Sequence, residues 1–145
     1  FDAVLRMDPN HADALRGRAL AYVQQRKASE AVADARASIR NGGGDGRQLY
    51  HVARVFALAA ACLESDPARP ERAWKVAGEY RAEAVRLLGR SYDALPTGER
   101  LAFWTDVVRP DAALTPIRSA QGYLAIDAHY PRRDPKRSTE GSASR

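Results

Sequence analysis

Apolar residues along this chain fall three and four positions apart almost throughout, and one triplet occurs twice. Leu15, Ala19 and Tyr22 return as Leu49, Ala53 and Phe56, each 34 residues later. The short spacing puts side chains on one face of an α-helix, and a fixed offset of that size suits a repeating pair of antiparallel helices. The first helix is expected from about Ala12 to Gln25, with Asn10 as its cap and Asp13 near its positive end. The second should cover about Ser29 to Arg40, with Ala31, Val32, Ala35 and Ile39 on one face, and Asn41-Gly42-Gly43-Gly44 stops it. No run of Val, Ile or Thr alternates with polar residues over a strand length, so the fold class is all-α.

A second unit opens near Arg47, but its partner helix arrives late. Ala31, Ala35 and Ser38 find their counterparts in Ala84, Leu88 and Ser91, a shift of 53 residues, so 19 extra residues separate the two helices. The insert is itself helical in pattern. Ala57 to Leu63 prolongs the first helix, residues 65–70 make a turn with Pro70 at a first helical position, and Glu71 to Tyr80 lengthens the second. Ala73, Val76, Ala77, Tyr80, Ala84, Leu87 and Leu88 then form one stripe. Eight more residues in each helix would carry the hairpin roughly 12 Å past its neighbours. The extension reads as a hairpin burying its own Ala-rich seam, with a partner contact as the alternative.

Past Tyr92 the register changes. Residues 95–99 give a helix start with Thr97 as cap, followed by Leu101, Trp104, Val107 and Val108 on one face. Pro110-Asp111 restarts the chain into a short helix over Ala112 to Arg118, and another should follow from about Ala120 to His129 with Tyr123, Leu124 and Ile126 inward. The expected organisation is thus the end of a truncated preceding unit over 1–10, a repeat unit over 11–44, a unit with an elongated hairpin over 45–94, a helical cap over 95–130 and a basic, disordered tail over 131–145. A repeat cannot bury its apolar face alone, so a parent chain continuing upstream of Phe1 is expected.

Charge changes this picture little. The net charge is +5, but residues 132–145 hold five basic and two acidic side chains, so the folded part carries only about +2. That is too little for a phosphate-binding footprint, and no nucleic-acid partner is expected. The tail lacks aromatics and reads as a solvated terminus ahead of a localisation arm or a nucleic-acid contact. One cysteine, Cys62, excludes a disulfide within the chain and suits a reducing, cytoplasmic compartment; no 18-residue apolar run suggests a membrane span.

Residues 1–92 resemble the tetratricopeptide repeat family. Leu15-x-x-Arg18-Ala19-x-x-Tyr22 and Ala31-x-x-x-Ala35 stand at its signature spacing, where small residues let paired helices touch; no Trp opens either unit, Arg18 replaces a leucine and Gly43 replaces the closing proline. The segments 48–59, 82–88, 103–108 and 111–118 are similar to C-terminal repeat regions of large bacterial signalling proteins, many of which carry a Ser/Thr protein kinase domain. The resemblance implies a tetratricopeptide-like solenoid with a helical cap, working as a protein–protein interaction scaffold in a multidomain parent. A purely structural spacer packing on another domain of that parent is the alternative.

In such stacks the concave face is lined by first-helix positions, here Asp13, Arg16, Leu20 and Gln24 from one unit and Arg47, Tyr50, His51 and Arg54 from the next. The last four share one helical face through their 3, 4, 7 spacing. Guanidinium forks and an aromatic edge suit an acidic peptide or a C-terminal carboxylate. Leu20 stands where the family's carboxylate clamp needs an Asn, and a solvated arginine face with no specific ligand stands beside the groove reading. His11, His51 and His129 have no ligand-type residue at metal spacing on their helix faces, and Gly42-Gly43-Gly44-Asp45-Gly46 lacks the strand and the Gly-Lys-Ser/Thr of a phosphate loop. No cofactor, no metal and no enzymatic activity are expected.

Overall fold

A computed structural model describes residues 1–68 and 71–132, and every element among them is helical. The chain forms α1 (Asp2–Met7), α2 (Ala12–Gln24), α3 (Ala28–Gly42), α4 (Gly46–Glu64) and α5 (Glu71–Ala94). A single 3-10 turn (Thr97–Glu99) then leads into α6 (Arg100–Ala102), a π-helical turn (Phe103–Val108), a 3-10 segment (Ala112–Ile117) and α7 (Gln121–Asp127). Pro70 and the tail from residue 133, on which the turn and disorder expectations fall, lie outside the described residues. None of the helices described is long and apolar enough to cross a membrane.

The 34- and 53-residue recurrences in sequence become recurrences in burial. Leu15 and Leu49, Ala19 and Ala53, Ala31 and Ala84, and Ser38 and Ser91 are all buried. α2 packs along α3 and α4 along α5, with α3 joining the two pairs through α4. α4 is buried around most of its circumference, because Leu49, Val52, Val55, Phe56 and Ala59 all point into packed surroundings. Only a helix that is apolar on nearly every side can sit at the centre of a small domain. The second pair is longer, as the insert requires: α4 has 19 residues against 13 in α2, and α5 has 24 against 15 in α3.

Several local expectations are corrected. Asn10 does not cap α2; its Oδ1 accepts from Asn41, and the His11 Nδ1 accepts the Ala14 N–H at 3.2 Å instead. Thr97 caps nothing, since Pro96 takes the cap position of a 3-10 turn without a side-chain bond. Leu101, Val107 and Leu124, all expected inward, are exposed, Leu101 to 57%. The cause for Leu101 and Val107 is the π-helical turn, in which the Arg109 N–H donates to the Trp104 carbonyl at 2.9 Å, five residues back. The wider turn keeps Trp104 and Val108 together on the buried face and swings Leu101 and Val107 out. Cys62 is half-buried.

Two turns set the helix junctions. At the end of α2, Lys27 N–H donates to Tyr22 O at 2.8 Å and Arg26 N–H to Val23 O at 2.9 Å, the double bond of a Schellman cap, with Arg26 at φ 61° where glycine is usual. The Arg26 guanidinium then reaches Cys62 O at 3.3 Å and Ser65 Oγ at 3.0 Å, bracing the end of the long α4 against the shorter pair. After α3, Gly43 takes φ 75° and ends the helix as the glycine run predicts.

Arg18, which stands in for an apolar residue, is explained by a fork of hydrogen bonds at 2.6 and 2.9 Å to the buried Asp34 carboxylate on α3. This attraction, opposed by burial, holds the guanidinium pKa well above its ordinary value. The two serines of the repeat position differ. Ser38 bonds its own helix through Ala35 O, whereas Ser91 on α5 donates across to Gly46 O on α4. A Cβ on Gly46 would stand 2.8 Å from the Ser91 carbonyl oxygen, whereas one on Gly89 would meet nothing within 4 Å. Gly46→Ala should therefore cost about 2 kcal/mol of unfolding free energy in urea titrations, from overpacking against backbone. Gly89→Ala should stabilise the same transition by up to about 1 kcal/mol, because alanine stiffens the unfolded chain and favours helix.

Candidate functional site

The seven residues expected to line a groove do not stay together. Leu20 packs against the core, and Gln24 is exposed near the end of α2. Arg16 pairs with Asp13 one turn earlier on its own helix. Tyr50, expected to offer its edge to a ligand, is 5% exposed. Its hydroxyl donates to Asp111 Oδ2, and the Arg54 Nε donates to the same oxygen at 2.7 Å. The chain therefore supplies its own carboxylate to the pair best suited to receive one.

Asp111 is held in place from both sides. Its Oδ1 accepts the Ala113 N–H at 3.0 Å, so the residue that starts the 3-10 segment also anchors that segment to α4. Burial opposes its ionisation, but the bonds from Tyr50, Ala113 and Arg54 outweigh it and keep its pKa below the ordinary 3.8. The Tyr50 phenol is pushed well above its usual range by burial and by the adjacent carboxylate. A second carboxylate closes the cap. Asp127 accepts the Trp104 indole N–H at 2.8 Å and the Arg109 Nε at 2.6 Å, and these bonds outweigh burial to hold it below 3.8 as well.

What remains open is a cleft of about 600 Å³ between the N-terminal half of α4 and residues 95–107. Arg47, Tyr50 and His51 contribute from α4; Glu99 and Gly98 come from the 3-10 turn; Ala102, Phe103 and Asp106 come from α6 and the π-helical turn. The floor is aromatic, with the Tyr50 and Phe103 rings edge to face at 5.3 Å. His51 lies where burial, then the charges of Arg54 and Arg16, press its pKa below 6.5, so at neutral pH it is an uncharged imidazole. Arg47 has no ion-pair partner among the described residues. Three of the seven expected residues thus meet at one cleft, joined by Glu99, Phe103 and Asp106, which sequence reasoning passed over. Their only local signal was the helix start at residues 95–99; their place opposite α4 follows from the Tyr50–Asp111 contact, 61 residues apart in sequence.

Among the described residues no three His, Cys, Asp or Glu groups gather as a metal set. His11 instead caps α2, and His129 lies against the Tyr130 ring at 6.5 Å.

Two outcomes follow from the anchored carboxylates. Asp111→Ala should cost about 1 to 3 kcal/mol in urea unfolding, because Tyr50 and Arg54 are then left partly buried without their acceptor. Asp111 and Asp127 both hold protons less readily in the folded chain than in the unfolded one. Their contribution to stability is therefore present above pH 3.8 and is lost as the pH falls through their lower folded values. The Trp104 indole N–H resonance, followed by NMR during acid titration, should leave its hydrogen-bonded position in that window; an unchanged resonance down to global unfolding would refute the assignment. Comparison of the chain with family models, with curated proteins and with solved structures returned no match.

Proposed function

We propose that this chain is a protein-binding module of the tetratricopeptide type, belonging to a larger bacterial signalling protein, with the cleft between α4 and residues 95–107 as its contact surface. The observation that carries the reading is the matched burial of positions 34 residues apart, Leu15 with Leu49 and Ala19 with Ala53, in two successive helix pairs. Helical pairs that bury such positions between them leave first-helix faces for partners, and the open part of that face here is the Arg47 and His51 edge of α4. The role is one of recognition without chemistry, in the cytoplasm, and the kinase association of the parent rests on the sequence resemblance alone.

A second reading has its own observation. Phe1 and, on α1, Val4 and Met7 are exposed, the last to 90%, apolar groups that suit packing on a neighbouring domain and a purely structural spacer.

The two readings separate in a peptide-display selection against the full chain. Ala102 is exposed and lines the cleft, so Ala102→Trp should fill the cleft without touching the core. Enriched peptides should lose about tenfold or more in affinity on Ala102→Trp, while thermal unfolding stays the same. No enrichment, or enrichment indifferent to Ala102→Trp, would remove the cleft from consideration and leave the spacer.

A further inference from the structure

The fold reverses the charge that the sequence suggests for this surface. Of the arginines expected to attract an acidic peptide, Arg54 is neutralised by Asp111 and Arg16 by Asp13. Arg47 is the one cation left lining the cleft among the described residues. Against it stand Glu99 and Asp106, both exposed and neither in an ion pair among the described residues; Asp106 accepts only the Thr105 hydroxyl at 3.0 Å. Arginines nearby in sequence do not restore the balance. Arg100 donates to the carbonyls of Leu95 and Asp93, and Arg109 is held by Asp127. His51 adds no positive charge at neutral pH, for the reasons given above. The aromatic floor and the exposed Val107 at the lip offer apolar contact beside these carboxylates.

We propose that the cleft takes a basic segment of a partner protein, one that sets a Lys or Arg beside an apolar or aromatic side chain, the cation toward Glu99 and Asp106 and the apolar group on Phe103. The assignment rests on the protein-binding reading and names the chemistry of its partner. Two carboxylates beside an aromatic face suit a guanidinium or ammonium, which gains from ion pairing and from stacking over the ring at once. The charge of the whole chain makes this preference discriminating. At +5, non-specific attraction would favour an acidic peptide, so a preference for a basic one has to arise locally.

The test titrates the isotopically labelled full chain with two synthetic peptides, identical except that Lys and Arg in one are Glu in the other, and follows the amides of Gly98, Ala102 and Phe103. The basic peptide should shift them saturably, and the acidic one should bind at least about fivefold more weakly. The double substitution Glu99→Gln, Asp106→Asn should weaken the basic peptide by about fivefold, Arg47→Gln should strengthen it, and added salt should weaken it. All three side chains are exposed, so these variants keep the fold. Tighter binding of the acidic peptide, or an affinity indifferent to Glu99→Gln, Asp106→Asn, overturns the proposal. Shifts of the same amides on Lys136→Glu, Arg137→Glu without any peptide would make the chain's own tail the occupant, and concentration-dependent shifts without peptide would make it a second copy; either overturns a partner in trans. If neither peptide moves the cleft amides, the binding reading fails as well, a result distinct from a wrong sign.

Discussion

The enclosure of α4 is the constraint from which the other placements follow. Over its first four turns the buried positions leave Arg47, His51, Arg54 and Leu58 as a narrow partly wet stripe, four and three residues apart, with Gln48 beside it. A helix with so little polar surface has to be walled in by neighbours before it can exist in water. α3 and α5 take two sides, and the 3-10 segment covers a third through Leu114 and Ile117. Asp111 fixes where that third wall stops, because its carboxylate is the acceptor for both Tyr50 and Arg54. The cleft is the stretch of stripe that the wall does not reach.

The electrostatic character of the open surface is accordingly a property of the fold and not of α4 alone. Taken as a helix face, Arg47, His51 and Arg54 are basic. Once the cap is docked, the Arg54 charge is cancelled, His51 is held further toward its neutral form, and two new carboxylates are carried in on the opposite wall. Local sequence sees none of these steps. Opposing walls contributed from distant parts of a chain decide the sign of a groove, and a single-helix pattern cannot contain that information.

The parts of the fold that follow from short-range periodicity were legible: the all-helical class, the boundaries of α2 and α3 to within a few residues, and the lengthened second pair with its stripe from Ala73 to Leu88. Helix ends were less so. Asn10 and His11 are both able to cap, and the Asn41 contact that draws Asn10 away comes from 31 residues on. The π-helical turn was invisible because its one extra residue breaks the very spacing by which faces are read; Leu101 and Val107 were assigned inward for that reason. Of the candidate surface, the shared helical face of Arg47, Tyr50 and His51 is readable from spacing, but the engagement of Tyr50 by Asp111 is not. Paired side chains far apart in sequence leave no trace in a hydropathy pattern.

The π-helical turn at Phe103–Val108 carries both the buried Trp104 and, two residues on, the rim carboxylate of Asp106. An α-helix turns by about 100° for each residue, so the direction of Asp106 is set by how many residues lie between the buried Trp104 and Val108 on either side of it. Shortening it by one would leave the composition of the rim almost untouched and yet swivel its charge away from α4. Chain length at this one place is a tuning parameter for recognition, independent of which amino acids occupy it.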